Sequence, residues 1–143
     1  MNIDKLTTQF QQDLASAQSL ANSHNHNVIE PLHVLSCMLQ DYSSTASNLL
    51  AACKVEHAKL KNEVDNKINQ LPTLDKPTGD INISQNLLRL LNQTDKLAQD
   101  KGDSYLSTEL FLLAIIKSND QAAIILKDFS VNEKNLHLEI DNL

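Results

Sequence analysis

The sequence predicts an all-α fold made of two pseudo-symmetric four-helix units, about eight helices in 143 residues. Three observations carry this reading. Only two glycines and three prolines interrupt the chain, and aromatic residues make up 3% of it with no Trp, so material for extended sheet is scarce. Apolar residues recur at steps of three and four, the helical period, as in Leu6, Phe10, Leu14, Ala17 and Leu20. The sequence also repeats itself. Shifted by 77 places, Leu6 to Gln40 aligns with Ile83 to Lys117 and pairs Phe10 with Leu87, Leu14 with Leu91, Leu20 with Leu97, Ala21 with Ala98, Ile29 with Leu106 and Leu35 with Leu112. After one lost residue the shift is 76, and Ala46, Leu50, Val55, Leu60, Glu63, Asp65 and Asn66 find identical partners from Ala122 to Asn142. The chain therefore reads as one domain: a first unit at 5–71, a linker at 72–80 and a second unit at 81–143.

The elements follow in order. Thr7 and its partner Ser84 stand where a hydroxyl would cap the first helix of each unit. Asn25 and Gly102, also partners, are the residue types that best tolerate the left-handed conformation closing a helix, so they mark its end. The second helix starts at Pro31, or at Thr108 after a capping Ser107, and runs to Leu39 or Ile116. Ala46–Cys53 and Gln121–Phe129 form the third, and Glu56–Leu71 and Asn132–Asn142 the fourth. Pro72, Pro77 and Gly79 stop the helix and make the linker irregular. The expected result is two bundles sharing an interface.

Composition excludes several functions. The two glycines, Gly79 and Gly102, lie 23 positions apart, so this chain holds neither a P-loop nor a dinucleotide fingerprint. Twelve Lys and Arg against eighteen Asp and Glu give a net charge of −6, the wrong sign for a nucleic-acid surface. No signal-peptide core is visible in Met1 to Phe10, and the longest apolar run, Leu110 to Ile116, is far short of a bilayer span, so no membrane partner and a cytoplasmic location are expected. Two cysteines, Cys37 and Cys53, suit a reducing compartment.

His33 and Cys37 stand four apart and could share a metal ion, but their partners are Leu110 and Ala114, which marks both as core positions. His24 and His26 lie in the polar turn SHNHN and are expected to be solvated, so no zinc site is predicted. Glu63 with Asp65 and Glu139 with Asp141 sit two apart on helices and read as solvated faces. No nucleophile elbow or oriented base is present, so the expectation is a binding module and no enzyme. One asymmetry bears on where it binds. Gln11 and Asp13 of the first unit become Leu88 and Leu90 in the second, widening the apolar stripe of that helix. Such a stripe fits a helix buried between two neighbours, or an apolar groove partly open to an extended chain.

The stretch FQQDLASAQSLANSHNHNVIEPLHVLSCML, followed by INISQNLLRLLNQTDKLAQDKGDSYLSTELFLLAI, resembles the amino-terminal domain of the Clp/Hsp100 ATPases over essentially the whole chain. IEPLH, DKLAQDKGD and STEL are nearer its disaggregase branch than the protease-linked unfoldases. The resemblance implies a mobile, non-catalytic domain at the entrance of a hexameric ring. That domain engages unfolded or aggregated polypeptide during stress and protein refolding. The ring would work with an Hsp70-type chaperone. ATP and magnesium would belong to the ring's ATPase modules, with no cofactor in this domain, which would be monomeric by itself. The alternative is docking of a folded adaptor, as in the protease-linked relatives. Matching the family's polar cluster are Thr7, Asp103 and Glu109, whose repeat partners Ser84, His26 and Leu32 keep only the hydroxyl. The neighbouring apolar groove would draw on Leu88, Leu90, Leu97 and Leu110.

Overall fold

The structure is a computed structural model, described for residues 3–76 and 81–143. Pro77 and Gly79 of the linker lie outside the described residues. A single 3₁₀ turn, Ile3–Lys5, leads into α1 (Thr8–Ser23), β1 (Val28–Ile29), α2 (Pro31–Met38), α3 (Thr45–Ala52) and α4 (His57–Asn69). The second unit repeats the order with β2 (Asn82–Ile83), α5 (Gln85–Lys101), α6 (Thr108–Ile116), α7 (Gln121–Asp128) and α8 (Glu133–Asp141). The helix order is the one read from periodicity, with ends displaced by a residue or two.

The helices start and stop for local reasons. Thr7 Oγ1 accepts the Phe10 amide at 3.3 Å, Ser84 Oγ the Leu87 amide at 2.9 Å and Ser107 Oγ the Leu110 amide at 3.4 Å. Asn25 (φ 57°) and Gly102 (φ 74°) are left-handed, as their residue types suggested. Lys54 (φ 70°) and Ser130 (φ 68°), again repeat partners, are left-handed too and close α3 and α7. All four ends carry the same closure, in which the amide after the left-handed residue reaches back into the last turn of the helix: His26 to Ala21, Val55 to Leu50, Asp103 to Ala98 and Val131 to Leu126.

The packing differs from two bundles placed side by side. α1 lies on α2, and α5 on α6, within their own units, but α3 packs against α6 and α8 of the second unit while α7 packs against α2 and α4 of the first. Both third helices thus cross the unit boundary, α7 while also lying on α6 of its own unit. Every residue of α6 from Leu110 to Ile116 is buried, and in α2 only Cys37 reaches partial exposure, so these two short apolar helices form the middle of one shared core. Phe10 of α1 meets Phe111 of α6 inside it, with centroids 5.1 Å apart and planes tilted by 55°.

Backbone pairing crosses the same boundary. Val28 and Ile29 pair in parallel with Asn82 and Ile83, and the Ser84 amide donates to Ile29 O at 2.9 Å. The equivalent on the other side is the parallel bridge of Leu6 with Leu106, where the Thr7 amide donates to Leu106 O at 3.0 Å. Each unit thus lends the residues before its first helix to the strand-like segment before the other unit's second helix. These pairs are too short to show the alternation by which strands are recognised.

Candidate functional site

The reciprocal pairing builds the candidate site. Leu106 donates its amide to Lys5 O at 2.8 Å and receives the Thr7 amide, so the start of α1 is bound to the loop that carries Asp103 at one end and Glu109 just beyond the other. Thr7, whose hydroxyl caps α1, is therefore half-buried at a joint between units. Asp103 is exposed. Its amide is fixed by Ala98 O at 2.8 Å, which holds its backbone in the helix closure. Glu109 is half-buried in the first turn of α6, where a negative charge opposes the positive end of the helix dipole.

Three side chains that the sequence did not single out belong to the same joint. Lys5 Nζ lies 3.6 Å from Asp95 Oδ1, tying the chain before α1 to the middle of α5. Tyr105, next to the paired Leu106, is 58% exposed. A lone aromatic between Ser104 and Leu106 carries no periodic signal, and Lys5 and Asp95 are ordinary charges in sequence.

The apolar set divides. Leu88 and Leu97 are half-buried, Leu97 against the core, and both keep surface to offer. Leu90 at 4% exposed and Leu110 at 1% do not: both are core side chains, and neither supplies an open groove wall. The widened stripe of α5 is thus explained by burial for Leu90 and by partial exposure for Leu88. Asp13, the partner of Leu90, is also buried, and burial pushes its carboxyl up to about 6, with Gln9 Nε2 donating at 3.0 Å in partial compensation.

The expectation of solvated histidines fails for His26. Its ring is 6% exposed, because the closure of α1 turns it inward onto the fully buried His33, with Nδ1 of His26 and Nε2 of His33 2.8 Å apart. Asp65 is also engaged, accepting from Ser36 Oγ and Lys61 Nζ at 2.7 Å each. Among the described residues no group of three or more His, Cys, Asp or Glu side chains is arranged to hold a metal ion, and no helix is long and apolar enough to cross a membrane. Burial raises the thiol of Cys37 to about 11, which keeps it protonated and unreactive at neutral pH.

The eight helices form a double four-helix repeat whose units pack into one shared core, the architecture of a duplicated helical domain. The chain belongs to the Clp repeat (R) N-terminal domain family, whose pattern matches residues 5–129. It is 41% identical over all 143 residues to the chaperone protein ClpB of Pseudomonas putida, of whose length it spans 17%. Its fold is that of the Hsp104 N-terminal domain from Candida albicans, with a TM-score of 0.82 and 20% identity over 94% of this chain and 88% of that one. It is also that of the ClpV N-domain in complex with a VipB peptide, at 0.76 and 22% over 94% and 83%.

Proposed function

We propose that this chain is the substrate-engaging domain of a ClpB-type, ATP-dependent disaggregase, holding unfolded or aggregated polypeptide weakly at the joint of Thr7, Asp103 and Glu109. The observation that carries the reading is the pairing of Leu6 and Thr7 with Leu106, which gathers an exposed acid, a helix-start acid and exposed Tyr105 on one inter-unit seam. Half-buried Leu88 and Leu97 supply apolar surface on the same helical unit. A shallow surface of this kind binds weakly, and six copies on a hexameric ring would compensate by avidity. ATP, magnesium, the ring and an Hsp70-type co-chaperone belong to this proposal through the family, and the cytoplasm is the compartment it fits.

Titrating the chain with a permanently unfolded protein, while following backbone amide shifts, tests the reading. Shifts are expected at Leu97, Asp103, Tyr105 and Glu109, and their absence at high concentration would overturn it. Glu109→Ala should weaken those shifts severalfold while leaving the helix content unchanged. A second reading is docking of a folded adaptor; the structurally similar ClpV N-domain is known in complex with a VipB peptide. It predicts saturable one-to-one binding to a single partner and no response to unfolded chains.

A further inference from the structure

The first unit contains a buried polar cluster without a counterpart in the second. His24, His26 and His33 correspond to Lys101, Asp103 and Leu110. The rings of His24 and His26 stack at 5.3 Å, and those of His26 and His33 lie 5.0 Å apart. The tautomers follow from the contacts. The Glu30 amide donates to His33 Nδ1 at 2.8 Å, so that nitrogen carries no proton and Nε2 must carry it. His33 Nε2 then donates to His26 Nδ1 at 2.8 Å, which leaves the His26 proton on its own Nε2.

This chain of donors has no vacancy for another proton. A proton added to His33 Nδ1 faces the Glu30 amide, donor against donor. A proton added to His26 Nδ1 forces His33 to accept at Nε2 and to move its own proton to Nδ1, with the same result. Two structures meet at these bonds. Glu30 is the N-cap of α2, in the place of the capping Ser107 of the second unit, and the His33 ring closes its capping box by accepting the Glu30 amide from within the helix. The backbone of the same turn holds the segment joining the units: His26 pairs with Thr73, and the Leu74 amide donates to Asn25 O at 2.7 Å.

We propose that His24, His26 and His33 form a proton-sensitive latch, in which uptake of one proton breaks the capping-box bond at the start of α2 and releases residues 73–74 of the inter-unit segment from the first unit. The surroundings fit. Glu30, Asn27, Val28, Leu71 and Pro72 line, with His26, a groove of about 250 Å³ over the cluster. Of these only Glu30 is charged, and Asp120 on α7 is near enough to feel that charge. The charges acting on the buried ring are His26 and His24, both of which oppose protonation, and the one His–carboxylate pair among the described residues is His137 with Asp141, on α8. Burial holds His26 below its ordinary value and takes His33 down to about 4. A histidine lowered in the fold contributes stability at neutral pH that is lost as pH falls from about 6.5 towards about 4.

Hydrogen exchange on the chain between pH 7.5 and pH 5 tests this, read as protection factors at Glu30 and Leu74. The Thr7 amide, which makes the equivalent inter-unit bond to Leu106, is the internal reference. Protection at Glu30 and Leu74 should fall together by about thirtyfold at pH 5, the ratio that His33 alone gives between 6.5 and about 4, while Thr7 stays within about twofold. Flat protection at Leu74, or a fall at Thr7 in step with it, would overturn the latch. His33→Gln keeps a side chain able to accept the Glu30 amide but removes the titration, and should cut the response to below about threefold. His26→Asn, which leaves His33 an acceptor, should keep most of it, because the ratio comes from His33. A full response in His33→Gln would sink the proposal.

Discussion

The two units share a backbone plan and differ in what they bury. Where the second unit places Leu90, Leu110 and Ala114, the first places Asp13, His33 and Cys37, and where the second exposes Asp103 the first turns His26 inward. What is common is the closures, the hydroxyl caps of the first helices and the reciprocal short pairs, which specify the scaffold. What differs is polar chemistry. In the second unit Asp103 stands outward beside the joint, whereas in the first His26 and His33 face one another inside. A duplicated domain needs only one working face, so the other copy is free to spend its polar positions internally.

The comparison assumes that the units fold as one body, and Phe10→Ala is the strongest way to break it. Phe10 and Phe111 are fully buried and come from different units. The variant should lose about 3–5 kcal/mol in urea unfolding, the usual cost of emptying such a site. Because α3 and α7 cross the unit boundary, the loss should appear as one shifted transition, seen equally by probes in both units. Two separate transitions would mean that the units are independent after all.

Much of this plan was legible in the residues. Thr7, Ser84 and Ser107 announced helix starts by their hydroxyls, and Asn25 and Gly102 announced helix ends because they tolerate a left-handed backbone. Lys54 and Ser130 adopt the same backbone without any such preference; the buried Val55 and Val131 that follow them hold the closure shut, and burial is a tertiary fact. The crossing of the third helices between units was hidden for a similar reason, since identical repeats do not say which copy a helix packs upon. For the candidate site, Asp103 and Glu109 were readable as an asymmetry between units, but Tyr105, Lys5 and Asp95 joined it only through a two-residue pairing that leaves no pattern. Leu90 and Leu110 were read as groove or core, and packing made them core.

Asp13 sharpens the comparison electrostatically. Its carboxyl is raised to about 6, so the folded chain binds a proton there more readily than the unfolded chain. Stability therefore falls as pH rises from about 4 to about 6, and the full cost is present above that range. Asp13→Asn keeps an oxygen for Gln9 Nε2 and removes the charge. It should stabilise the chain by about 1–2 kcal/mol at pH 7.5, an advantage gone at pH 4. The dependence runs opposite to that of His33, so urea midpoints across pH distinguish the two groups; an equal gain at both pH values would mean that the charge is not the cause.

The smallest effects lie at the helix closures, where the units are most alike. Gly102 has open space where a Cβ would stand, so Gly102→Ala meets only the backbone cost of a left-handed alanine, about 1 kcal/mol. Lys54 and Ser130 already bear that cost, and Lys54→Gly should recover about 0.5–1 kcal/mol, with Ser130→Gly giving the same within error because its closure has the same bonds. Thermal unfolding of the three variants checks the set. Unequal gains at Lys54 and Ser130 would show that one closure is strained by its surroundings, and the likeness of the two units would then stop short of their helix ends.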